Sequence, residues 1–193
     1  MTDELVLSDV AASAAPLAQD FGARIALAAE ARTRRFVLYD PAYRRLDYPM
    51  GDVPDNRGVC VDVVIRALRE VGVDLQEKVH EDMADHFAAY PNLWGLTRPD
   101  PNIDHRRVPN VETYLARAGH ELPASQDPTD FRPGDVVTYR IENGLPHAAV
   151  VSARTASDGT PLIVHNIGAG TRLEDRLFDW PVHRRFRLTA PEE

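Results

Sequence analysis

Hydrophobic positions along the 193-residue chain change period once, from helical spacing early to strand spacing late. After a loose lead-in over positions 1–15, Leu17, Phe21, Ile25 and Ala28 or Ala29 recur with helical spacing between positions 16 and 32. A short strand is expected at 35–39, ended by Asp40-Pro41. Next come Cys60, Val64, Ala67, Leu68 and Val71, which share one face of a predicted helix that stops at Gly72. Turn residues crowd just before it: Pro49, Gly51, Pro54, Asp55, Asn56 and Gly58. A second helix is predicted from about position 80 to 90, with Met83 and Phe87 inward and Pro91 closing it. Positions 92–109 have little periodicity, which in a compact domain points to a functional segment. Asn110 then reads as the N-cap of a helix over 111–118, stopped by Gly119.

The last third is written differently. Strands are expected at 135–141, 147–153 and 161–165, joined through Asn143-Gly144 and Asp158-Gly159, and a final one near 184–188. Helices first and antiparallel strands later predict an α+β fold, with 16–193 as one domain.

Charge and composition narrow the function. The net charge is -8, so the basic face that a nucleic-acid partner needs is not expected. No apolar run is long enough to span a bilayer. One cysteine excludes an internal disulfide framework and a cysteine-based zinc finger. The start Met1-Thr2-Asp3-Glu4-Leu5 shows no signal peptide, so the sequence reads either as unexported or as a trimmed mature form. No cofactor or metal is expected, and a monomer is the favoured unit.

That cysteine is the main chemical candidate. Cys60 lies in the first turn of its helix, where free N–H groups and the dipole favour a thiolate. The plain alternative is a small buried hydrophobe. A nucleophilic thiol needs a base, and the base needs a group to hold its ring. His147 opens one predicted strand and His165 ends the next, so a hairpin would set them side by side; both could instead be partly solvated strand ends. A zinc-protease reading of His80-Glu81 fails, because Ala84 stands where the second histidine is required. Asp104, His105, Arg106 and Arg107 crowd the irregular segment; Arg106 and Arg107 are expected to pair with internal acids, with substrate contact the lesser reading. Trp94 and Trp180 read as core or cleft wall.

These residues resemble the NlpC-like branch of the papain-like cysteine peptidases and amidases. The pattern runs through Tyr48 and Gly51, Cys60, Pro133-Gly134-Asp135, His147 and His165. Nearly the whole chain from about position 24 to 188 is similar to a bacterial family called domain of unknown function 1287. That similarity is carried by the segments around Tyr48, Cys60, Val79-His80-Glu81-Asp82-Met83, Asn102 to Pro109, and Leu162 to Gly168. The resemblance implies a papain-like, NlpC-type fold and a thiol hydrolase with Cys60, His147 and His165 as catalytic residues. Asn166, Tyr48, Asp62, His105 and Arg106 stand as orienting, oxyanion or substrate contacts. It implies a peptide amide of bacterial peptidoglycan as substrate and a periplasmic or envelope location. The alternatives are an acyltransferase or deamidase using the same three residues, and a non-catalytic domain that binds wall peptides or a protein. The chain departs from the NlpC pattern at Val59 and Asp62, which replace the usual neighbours of the nucleophile.

Overall fold

The computed structural model describes residues 20–190. The lead-in and the first turn of the helix predicted from position 16 lie outside the described residues. Helix α1 (Phe21–Arg32) begins where Asp20 accepts a hydrogen bond from the Ala23 N–H at 3.0 Å. Its buried face is built from Ala23, Ile25, Ala26 and Ala29. Strands β1 (Leu38–Tyr39) and β2 (Arg57–Gly58) form a small parallel pair apart from the main sheet. Helix α2 (Cys60–Arg69) follows at once, then α3 (Leu75–His86) and α4 (Val108–Arg117). The main sheet contains β3 (Glu121–Leu122), β4 (Val136–Arg140), β5 (Pro146–Thr155), β6 (Pro161–Asn166), β7 (Thr171–Glu174) and β8 (Val182–Phe186). Its order is β3-β8-β4-β5-β6-β7, and all its pairs are antiparallel. The architecture is α+β, as the change of period predicts.

One sheet face packs on the helices. Val136, Ala148, Val150, Val164 and Phe186 meet Ile25, Val64, Leu68, Val111 and Leu115 there. Each fully buried Val or Leu contributes about 1.5–3 kcal/mol relative to exposure. Alternate residues on the same strands, Val137, Tyr139, Ala149, Val151 and Ile163, face the other way into a second cluster closed by Phe131, Leu177 and Trp180. Helix α2 lies deep in the first layer and is buried nearly all round, from Cys60 to Leu68. Its two arginines serve the Gly- and Pro-rich loop before it. Arg66 pairs with Asp52 at 2.8 Å and reaches the Val53 carbonyl, while Arg69 donates to the Gly51 carbonyl at 2.7 Å.

Several boundaries differ from the sequence reading. Helix α3 starts at Leu75 rather than near position 80, because Asp74 caps it through the Gln76 N–H and Leu75 and Val79 are buried. Helix α4 starts at Val108 with Pro109 in its first turn; Asn110 is not its cap but donates inward to the Asp104 carbonyl at 3.2 Å. The strand expected at 35–39 shrinks to Leu38–Tyr39. Strands β2, β3 and β7 carry too little pattern of their own to be seen in sequence.

Gly134 marks a tight passage in the fold. Its φ is +85°, and a Cβ there would drive into the Gly22 carbonyl at the start of α1. Gly134→Ala is expected to cost at least about 2 kcal/mol, read as a lower urea midpoint with an unchanged slope. An unchanged midpoint would show that α1 yields at no cost.

Candidate active site

Cys60 opens α2, with Val59 before it in extended conformation. The Val59 N–H is taken by the Asp62 carboxylate at 2.6 Å, which locks the first turn. Arg106, from the short 3-10 turn Asp104–Arg106, grips Asp62 with two bonds of 2.9 Å each. Backbone N–H groups of Ala148, Val61 and Cys60 all favour negative charge on the sulfur. Burial opposes them and is the largest influence, so the thiol is pushed up to about 11. The helix start therefore does not make a resting thiolate, contrary to the expectation from its position. Removing the sulfur from water outweighs the dipole.

The Ala148 amide locates the thiol within the sheet. The Val151 N–H donates to Asp135 on the β4 side at 2.8 Å, and N–H groups alternate between strand edges, so the Ala148 N–H points toward β6. The β5–β6 pairing ends at Ala149↔His165, one residue short of it. That amide, which β6 leaves unpaired, favours negative charge on the sulfur. Cys60 thus reaches a seam where the two strands part, beside the His147–Ala148 peptide.

The two histidines lie on the other face of these strands, with Tyr139 and Trp180. His147 stands opposite Tyr139 and two residues before Ala149, the partner of His165. The rings of His147 and His165 meet edge to face, with His147 Nε2 2.9 Å from His165 Nδ1. His165 Nε2 lies 2.8 Å from a carboxylate oxygen of Glu174 on β7. Trp180 covers both imidazoles, its ring 5.8 Å and 6.3 Å from theirs. Arg176 stacks on the outer face of the indole. His147 is 2% exposed, and burial, then His165 and Arg176, lowers it to about 3. Burial also lowers His165, while Glu174 works to raise it. Both imidazoles rest neutral. The arrangement holds a protonated thiol, a neutral imidazole and a second imidazole with a carboxylate behind it.

A sequence model for the family described as "Domain of unknown function (DUF1287)" matches residues 26–188. The chain belongs to this family. It is also 58% identical over 151 residues to an Escherichia coli (strain K12) protein described as "Uncharacterized protein YijF", covering 78% of this chain and 74% of that one. A solved structure, NlpC1 from Trichomonas vaginalis, is similar over 88% of the chain with 14% identity and a TM-score of 0.48. The chain spans 44% of that protein's length.

Within this DUF1287 domain the remaining candidates sort by position. Asn166 is fully buried beside the seam and follows His165 directly; its Oδ1 accepts from the Gly168 N–H, and Nδ2 has no partner among the described residues. Asp62 and Arg106 are not substrate contacts, as each is buried and committed to the other. Arg107, too, pairs internally, with Asp104 at 3.1 Å. His105 is also buried and is lowered to about 4, chiefly by burial. Tyr48 is exposed and packs edge-on against His80. The tyrosine electrostatically coupled to the thiol is Tyr39, raised to about 12 by burial first and then by Cys60 and Asp62. Its only sequence signal is that it closes a strand, because the partner β2 is two residues long. Glu174 was equally hidden, since β7 follows a turn with no periodicity. Trp94 lines a cavity of about 270 Å³ with Met83, Phe87 and Tyr90, and Arg107 stacks on it at 4.0 Å. Among the described residues, no cluster of three or more His, Cys, Asp or Glu is placed to hold a metal, and no helix is long and apolar enough to cross a membrane.

Proposed function

We propose that this DUF1287 domain is a cysteine-dependent amidase or peptidase acting on a peptide amide of bacterial cell-wall peptidoglycan. The observation that carries the reading is the relay from His147 through His165 to Glu174, with the Ala148 amide, next in the chain to His147, favouring charge on the Cys60 sulfur. In this mechanism His147 takes the thiol proton as sulfur attacks the carbonyl carbon, so a thiolate never has to persist in the dry site. The negative oxygen of the tetrahedral intermediate is held by N–H groups at the α2 start. Its collapse breaks the C–N bond, and the imidazolium returns its proton to the leaving amine. Water, deprotonated by His147, then cleaves the thioester and frees the thiol. His165 holds the His147 ring throughout.

The choice of substrate rests on the NlpC-like residue pattern, and it would place the protein in the cell envelope. Digestion of purified peptidoglycan tests it, with muropeptides identified by mass spectrometry. The expected result is a new free amine on a shortened stem peptide, absent with Cys60→Ala. Unchanged muropeptides from a protein whose Cys60 still reacts with an alkylating agent would overturn the wall substrate. An acyl group passed to an added amine instead of water would identify a transferase.

A further inference from the structure

We propose that Glu174 is a positioning residue that fixes the tautomers of both histidines and so decides which nitrogen of His147 is the base. The proposal rests on His147 being the base of the site. An ionised carboxylate can only accept hydrogen bonds, so the bond at 2.8 Å requires a proton on His165 Nε2. A neutral His165 then has its lone pair on Nδ1. The bond at 2.9 Å must be donated by His147 Nε2, which leaves the His147 lone pair on Nδ1. Nδ1 is the ring nitrogen nearer the main chain, and the next residue along that chain, Ala148, supplies the amide that favours charge on the Cys60 sulfur.

Without the carboxylate, the two histidines could reverse their hydrogen bond at no loss. His165 Nδ1–H would donate to His147 Nε2, and the His147 proton would move to Nδ1. Such a base cannot accept the thiol proton there. The charge on Glu174 breaks the tie. The other groups around the pair do not. The Tyr139 hydroxyl on β4 donates to the Leu177 carbonyl at 3.1 Å. Asp179 accepts from Arg176 at 2.6 Å, and Arg176 stacks on Trp180 rather than bonding to either imidazole. Among the described residues Glu174 is the hydrogen-bond partner of His165 Nε2. Its side chain is partly exposed, so the chain of groups ends at solvent.

Long-range 1H–15N spectra of 15N-histidine protein distinguish the tautomers directly, without any turnover. The wild type is expected to show His147 as the Nε2–H form; an Nδ1–H form there would overturn the proposal at once. Glu174→Gln offers both a donor and an acceptor and should populate the reversed form, as should Glu174→Ala. Glu174→Asp should restore part of the original state. If His147 stays Nε2–H in both Gln and Ala variants, Glu174 does not set it. On an active substrate, Glu174→Gln should lower kcat by about 10–100-fold with KM nearly unchanged. An inactive wild type with the expected spectra would sink the hydrolase reading alone; unchanged kcat in Glu174→Gln would sink the tautomer role alone.

Discussion

Asp62→Ala is expected to destabilise the domain by about 3–5 kcal/mol, the range for removing one partner of a buried ion pair. For a chain of this size that corresponds to a fall in Tm on the order of 10 °C. The reason is local. Asp62 satisfies the Val59 N–H at the start of α2 and receives both arms of Arg106. Removing it strands a guanidinium whose side chain is 2% exposed and leaves a helix-end donor unpaired. Arg106 also reaches the Asp40 carbonyl, which adjoins Tyr39, so the damage spreads toward the thiol. Thermal melts of Asp62→Ala, Arg106→Met and the double variant check this. The double variant should recover part of the loss, since it buries no unpaired charge. Additive losses would mean that the two side chains act independently, and a fall below about 1 kcal/mol for Asp62→Ala would show that water reaches Arg106.

That brace explains part of what sequence reading could and could not see. The periodicities of α2 and of β4 to β6 are long enough to declare themselves, and they carry Cys60, His147 and His165. A short turn holding Asp104 to Arg106 carries no period, yet it delivers the residue that locks the nucleophile's helix. Internal pairing of Arg106 was legible as charge chemistry; its partner, 44 residues away, was not. Tyr48 stood out because the residues around it are turn formers, whereas Tyr39 is coupled to the thiol only through a two-residue parallel bridge. The protonation of the thiol was the largest difference. Sequence places Cys60 at a helix start but cannot say how much water the tertiary packing removes from it.

The thiol should therefore titrate late. With Cys60 pushed up to about 11 and His147 down to about 3, the proton belongs on sulfur, and a neutral pair is favoured over a thiolate–imidazolium pair. A shift from the ordinary value of 9.0 to about 11 leaves about 100-fold less thiolate at neutral pH. Iodoacetamide should accordingly label Cys60 about 100-fold more slowly than an unburied cysteine at pH 7. The rate should climb about tenfold per pH unit toward pH 11. Restricted access would lower the whole curve without moving its midpoint, so the slope separates burial of charge from mere crowding. His147→Ala should leave this curve nearly unchanged, while amide cleavage falls by roughly 10²–10⁴-fold. The two results together describe a base that acts only as sulfur attacks. A rate plateau between about pH 5 and 8 that disappears in His147→Ala would overturn it, because that signature belongs to an imidazolium already holding the thiol's proton.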